Sequence, residues 1–175
     1  MILGVISDTH GNHVLMQKAV DLLQKRLLAT SILHLGDDYA DKEALEMAGV
    51  PVTGVPGLWC REYSDGRIPK TLTVEFDGVR VACAHSVDDL PPLTSDIGLA
   101  LIGHTHRFGI CVREKVPCMN PGHLKSENDR MRQPTFGLAR ITNAMLCLSI
   151  HNLRGQTIME QCFPRKDAPS PSSSS

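Results

Sequence analysis

Five short apolar runs, each closing on a turn, constrain the fold of this chain more than any other feature. MILGVIS leads into Asp8 and His10, SILHLG into Asp37, VRVACA into His85, and LALIG into His104 and His106. The fifth, PVTGV, leads into Pro56-Gly57-Leu58, where a ligating side chain is expected and none stands. Short apolar runs bounded by turn residues read as buried strands. In an open α/β sheet, the loops beyond the carboxyl ends of such strands meet over one crevice. Ligands far apart in sequence can therefore converge on one site.

Periodicity fills in the rest. Asn12 caps a helix whose apolar stripe is Leu15, Ala19, Leu22, Leu23 and Leu27, with Gln17, Lys18, Asp21, Gln24 and Lys25 opposite. A strand over 31–35 precedes a helix over 41–48, which Gly49 ends, and a short strand over 51–55. Residues 70–76 and 79–84 form a hairpin around Asp77-Gly78. Residues 87–95 read as a loop or short helix broken by Pro91-Pro92. Strands over 99–102, 108–113, 135–142, 144–151 and 156–162 complete the domain, with Asn143 at a tight turn. Alternating strands and helices early, and hairpins late, predict an α/β fold: a four-layer α-β-β-α sandwich of two mixed sheets flanked by helices. One domain spans 1–163. The Pro/Ser-rich remainder, 164–175, has the composition of a disordered tail.

Composition excludes some functions. The formal net charge is −1 without a block of like charge, so bulk electrostatic affinity for nucleic acid is not expected. Only 4% of residues are aromatic, which argues against stacking on single strands. The N-terminus has no basic leader and meets Asp8 early, so it does not read as a signal peptide. No apolar run reaches membrane-spanning length. The six cysteines are scattered without a CxxC pair, mostly in apolar runs, and read as buried free thiols in a reducing, cytoplasmic setting.

The chemistry lies in the run ends. In Asp8-Thr9-His10 an oxygen and a nitrogen ligand stand two residues apart, on one side of an extended chain. An isolated D-x-H is more often a turn aspartate beside a surface histidine. Asp37 follows a glycine, and its two oxygens suit a bridge between two cations. Asp38 reads as structural or as orienting a ligand. Gly103-His104-Thr105-His106 is more telling, because glycine permits a sharp turn and two imidazoles follow it. Clustered neutral imidazoles suit Mn²⁺, Fe, Ni²⁺ or Zn²⁺. His34 reads as a packed core histidine, His151 as structural, His13 as solvent-facing, and His123 as a surface-loop residue with substrate contact as the alternative. Arg61, Arg67 and Arg107 are candidates to hold a phosphate, with Arg107 favoured because it follows His106.

Taken in order, D-x-H, G-D, G-x-x, H and G-H-x-H, each after an apolar run, resemble the motifs of the calcineurin-like metallophosphoesterases, especially the small single-domain phosphodiesterases of bacteria and archaea. The resemblance covers residues 1 to about 162, and Asn120-Pro121-Gly122 also matches a loop of those proteins. It implies a hydrolase of phosphate esters, most simply a phosphodiesterase, using a water activated by two metals. It also implies Asp8, His10, Asp37 and His106 on one metal, and Asp37, His85 and His104 on the other. Asp37, His85 and His104 would then be the catalytic residues. Mn²⁺ is the favoured ion, with Ni²⁺, Fe, Zn²⁺ or Mg²⁺ as alternatives. The expected partner is a small phosphate-ester substrate. No membrane is expected, and an exposed edge strand is compatible with a homodimer.

The chain departs from the family in its third motif. The family places an asparagine ligand where Leu58 stands, and a histidine or cysteine where Trp59 stands. Three readings follow. Cys60, Glu62 or Tyr63 replaces the ligand, Glu62 being the best hard-oxygen donor; three protein ligands and water hold the second metal; or Leu58 and Trp59 pack as an apolar lid. A catalytically weak phosphoesterase fold serving as a binding scaffold, as in the small subunit of the retromer cargo complex, is the alternative function.

Overall fold

The computed structural model describes residues 1–165, so most of the expected tail lies outside the described residues. Eleven strands are described: β1 (Ile2–Ile6), β2 (Ser31–His34), β3 (Val52–Gly54), β4 (Thr71–Phe76), β5 (Val79–Ala84), β6 (Ile97–Ile102), β7 (Gly109–Arg113), β8 (Val116–Asn120), β9 (Thr135–Ile141), β10 (Met145–Asn152) and β11 (Thr157–Pro164). The helices are α1 (His13–Asp21), which runs into a π-turn over Leu22–Arg26, then α2 (Tyr39–Met47) and α3 (Arg61–Asp65). The strands form a six-stranded sheet, β11-β10-β9-β1-β2-β3, and a five-stranded sheet, β4-β5-β6-β8-β7. Both are mixed, as expected. β1, β2 and β3 run parallel in the first sheet, and β5, β6 and β8 in the second.

Side-chain alternation along these strands builds the layers. Leu3, Val5, Leu33 and Leu35 of the first sheet meet Val81, Cys83, Leu99, Leu101 and Met119 of the second in the central core. Ile6 and Ile32 face the other way and pack under Leu15, Met16, Ala19, Val20 and Leu23 of the first helix and its π-turn, and Leu45 of α2. Burying that helical stripe stabilises the outer layer by roughly 1.5–3 kcal/mol per large side chain. The outer face of the second sheet is covered differently. Ala82, Ile97, Ala100, Val116 and Cys118 lie under Leu90 and Leu93, from the segment broken by two prolines, rather than under an α-helix.

Three features differ from expectation. β8 does not show in the sequence pattern. The turn before it, Glu114-Lys115, has positive φ at both residues, 48° and 68°, without the Asn or Gly that signals such a turn. Pro117 also stands inside the strand, and pairing with β6 begins only at Cys118. β11 continues through Pro164, and the backbone N–H of Arg165 donates to the Ala144 carbonyl at 2.9 Å. Finally, Cys147 and Cys162 form a disulfide. They are direct cross-strand partners of β10 and β11, a proximity set by hairpin register that no local cysteine spacing announces. Cys60, Cys83, Cys111 and Cys118 are free.

Candidate metal centre

The carboxyl ends of the parallel strands from both sheets open onto one site. Asp8 follows β1, Asp37 follows β2, His85 follows β5, and His104 and His106 follow β6. The Asp8 N–H donates to the Gly36 carbonyl at 2.8 Å, tying the first two loops together. Asp8 Oδ2 accepts the His104 N–H at 3.0 Å, tying the first loop to the fourth across the sheets. Gly103 makes that approach possible, since a Cβ there would lie 2.1 Å from Ser7 Oγ and 3.0 Å from Asp8 Oδ2.

Four of the expected residues form a tight group. One ligand-capable atom from each of Asp8, His10, Asp37 and His106 lies within 4.8 Å of the others. His10 Nε2 lies against Asp37 Oδ2 and 3.1 Å from His106 Nε2. His106 Nε2 is 3.3 Å from Asp8 Oδ1. His85 and His104 flank this group, with ring centroids 5.1 Å apart and His85 Nε2 3.5 Å from Asp37 Oδ1. All six expected ligands thus share one locale. Asp8, His10, His104 and His106 have φ of 53°, 47°, 66° and 57°, a left-handed conformation costly for residues with side chains. Such outliers concentrate where function over-determines the backbone.

Hydrogen bonding orients the rings. His85 Nδ1–H donates to the Leu35 carbonyl at 2.7 Å, which leaves the Nε2 lone pair facing Asp37. His106 Nδ1–H donates to Asp129 Oδ2 at 2.7 Å, which turns its Nε2 toward Asp8 and His10. His85 Nε2 is buried without a hydrogen-bonding partner, and the buried Asp8 Oδ1 and Asp37 Oδ2 face the rings of His106 and His10. Leaving a buried polar group such as His85 Nε2 unpaired costs about 1–3 kcal/mol. A divalent cation satisfies all three, so the donor set fits a metal.

Electrostatics agree with that fit. Burial opposes ionisation of Asp37, but the hydrogen bond from His10 and the charges of His10, His85 and His106 outweigh it, holding the carboxyl below its usual range. The hydrogen bond to Asp8 raises the His106 pKa against burial, with help from Asp129. His34 behaves as a core histidine: burial pushes it down to about 4, and its ring bonds Thr9 Oγ1 and the Gly36 N–H at 3.1 and 3.2 Å.

The third loop resolves several alternatives. Gly57 lies directly on the backbone of Asp37, where a Cβ would sit 2.2 Å from the Asp37 Cα. Leu58 is half-buried beside it. Cys60 is buried with Sγ on the Gly57 carbonyl at 3.1 Å, and Tyr63 Oη donates to Asp89 at 2.8 Å, so neither turns into the site. Glu62 lines a cavity with His10 and Asp37. Trp59 is 83% exposed and does not pack as an apolar lid.

Other residues are relocated. His123, read as a surface-loop residue, is fully buried, with its ring 5.4 Å from that of His106 and Nε2 on the Arg132 carbonyl. The chain reverses at Gly122 and tucks the histidine under the site. His13 is exposed, yet its Nε2 lies 3.1 Å from the buried Asp41. Asp38 caps α2 through Ala40 N–H. Arg67 pairs with Asp65, and Arg107 is exposed. Asn120 holds the fourth loop, donating to the Gly103 carbonyl at 2.8 Å and to Thr105 Oγ1 at 3.1 Å. Asp129 was missed by sequence reasoning, because its loop carries no spacing tied to His106.

A family model described as the calcineurin-like phosphoesterase superfamily domain matches residues 1–144. The chain belongs to the calcineurin-like phosphoesterase superfamily. No curated protein matches the sequence. Solved structures give the same fold. Yfce, a phosphoesterase from E. coli, is 21% identical with a TM-score of 0.69, over 92% of this chain and 98% of that one. Vacuolar Protein Sorting 29 from Cryptosporidium parvum is 19% identical with a TM-score of 0.69, over 94% and 98%. An archaeal phosphodiesterase is 16% identical with a TM-score of 0.63, over 93% and 100%.

Proposed function

We propose that this superfamily member is a metal-dependent hydrolase of phosphate esters, a phosphodiesterase acting with two divalent ions, Mn²⁺ favoured. One observation carries the reading: ligand-capable atoms of Asp8, His10, Asp37 and His106 lie within 4.8 Å of one another, and the buried, unpartnered His85 Nε2 faces Asp37 beside them. Asp8, His10, Asp37 and His106 would hold the first ion, and Asp37, His85 and His104 the second, with Asp37 shared. Ions held there supply Lewis acidity to a phosphoryl oxygen and acidify a water.

The chain's own groups do the positioning. Leu35 and Asp129 fix the tautomers of His85 and His106. The His104 N–H fixes the Asp8 carboxylate, and Asn120 fixes the loop that carries His104. Asp37 stays ionised despite burial, so no carboxyl proton has to leave before a cation binds. The substrate is a small phosphate ester. For a cytoplasmic setting, the four free thiols count in favour and the Cys147–Cys162 disulfide counts against. No helix among the described residues is long and apolar enough to cross a membrane.

Leu58 supports a second reading: a scaffold with an impaired second metal position, in keeping with the likeness to Vacuolar Protein Sorting 29. Metal content and turnover of bis-p-nitrophenyl phosphate with added Mn²⁺ separate the two. The enzyme reading expects two bound ions and hydrolysis, both impaired by Asp37→Ala. Absence of bound metal and of turnover across Mn²⁺, Ni²⁺, Fe and Zn²⁺ overturns it.

A further inference from the structure

The turn that lacks the expected ligand carries the chain's only tryptophan. Tryptophan is highly buried on average, yet Trp59 is 83% exposed. The turn that carries it is well defined. Gly57 is seated on the Asp37 backbone. Three residues later, the Cys60 N–H donates to the Gly57 carbonyl at 3.2 Å and the buried Cys60 Sγ reaches the same oxygen. Leu58 and Trp59 are therefore the two corner residues of a turn pinned at both ends. The indole lines an open cavity of about 480 Å³ together with His10, Asp37, Arg61 and Glu62. That volume falls within the roughly 300–1,000 Å³ of small-molecule sites.

We infer that this cavity is the substrate pocket and that it selects nucleoside phosphate esters, with Trp59 stacking on the base. The inference rests on the phosphoesterase reading and adds a substrate class to it. An exposed indole face beside phosphate-directed chemistry gives a flat aromatic group a partner, and stacking tolerates any base. Arg61 stands next to it with an exposed guanidinium, whose ion pair to Asp65 is long at 3.7 Å. It is placed to offset phosphate charge. Glu62 offers an acceptor for sugar hydroxyls. A lipid-like ester needs a broad apolar wall, whereas this cavity presents one indole with the small Ala40 and Cys60 among His10, Asp37, Asp38, Arg61 and Glu62.

A lone tryptophan makes the test direct, because the intrinsic indole fluorescence reports Trp59 alone. Adenosine monophosphate added to the Mn²⁺-supplemented protein should quench it saturably, whereas inorganic phosphate and glycerol phosphate should not. By calorimetry, Trp59→Leu should weaken adenosine monophosphate binding roughly tenfold or more, and Trp59→Phe should restore much of it. In turnover, Trp59→Leu should raise KM for a nucleoside diester and leave a glycerol diester nearly unchanged. Absent quenching in a protein that still hydrolyses diesters overturns this inference and leaves the phosphoesterase reading standing. Saturable quenching without any turnover overturns the phosphoesterase reading while supporting base recognition. Equal quenching by inorganic phosphate also overturns the stacking role.

Discussion

Removal of the Asp129 carboxylate tests whether the first metal position is built or accidental. Among the described residues, that carboxylate accepts the His106 Nδ1–H at 2.7 Å and otherwise makes a long ion pair with Lys125 at 3.9 Å. The Asp129 backbone is held separately by reciprocal hydrogen bonds with Arg132 at 3.0 and 2.9 Å, so Asp129→Ala should leave the loop in place. Losing such an orienting partner typically weakens metal affinity about 10–100-fold, which is about 1.4–2.7 kcal/mol. Asp129→Asn keeps an acceptor but loses the charge, and should fall between. The pH profile adds a second signature. In the metal-free protein the His106 pKa is raised, by the hydrogen bond to Asp8 first and, against burial, by Asp129. A cation needs the neutral ring, so binding should strengthen as pH rises through that raised value. Without Asp129 the value falls, so the midpoint should move to lower pH while the plateau affinity drops. Calorimetric Mn²⁺ titrations across pH measure both. Unchanged affinity in both variants, or a lower plateau with the midpoint unmoved, refutes the orienting role.

Other perturbations separate the remaining claims. Leu58→Asn restores an amide donor atom beside Asp37 and should raise affinity for the second ion, or turnover; no change, together with a harmful Glu62→Ala, would assign the missing ligand to Glu62. Gly57→Ala places a methyl 2.2 Å from the Asp37 Cα, so the loops must separate, costing on the order of 1–3 kcal/mol in urea unfolding and weakening Mn²⁺ binding in the same protein. Cys147→Ser opens a bridge of sequence separation 15, worth about 3 kcal/mol, so the urea midpoint should fall under non-reducing conditions only. An unchanged midpoint would refute that contribution.

The strand ends were legible because two independent patterns coincided there. A buried parallel strand reads as an apolar run, and its ligand stands where the run stops. Those signals point to Asp8, Asp37, His85, His104 and His106, which the fold brings to one candidate site. What failed has a common cause. His123, Asp129 and the Cys147–Cys162 pair are defined by where loops and hairpins meet, and no period along the chain encodes such meetings. β8 failed for a local reason: Pro117 and a positive-φ turn made of Glu114 and Lys115 both contradict propensity. The cover of the second sheet follows its sequence: Pro91 and Pro92 break the segment over 87–95, and Leu90 and Leu93 still cover the apolar face.

The two metal positions are unequally supported, and Leu58 is only part of the reason. The first draws on two carboxylates and two imidazoles, and one of those rings is locked by its own carboxylate. The second shares Asp37 and adds His85, locked by the Leu35 carbonyl, with His104, which is exposed and has no ring hydrogen bond among the described residues. An asparagine at position 58 would have added a donor on the side now given to Leu58. The second position therefore depends on an exposed, unoriented ring, and ions should load in order, the four-ligand position first. That ordering lets one protein sit between the two proposed functions. On the proposed assignment, filling the first position alone would leave a folded, metal-bound scaffold, whereas hydrolysis would wait on the weaker position. Trp59 sharpens the distinction, since the inferred stacking of its exposed indole, on the turn that lacks the expected ligand, would give a substrate a foothold that a pure scaffold does not need.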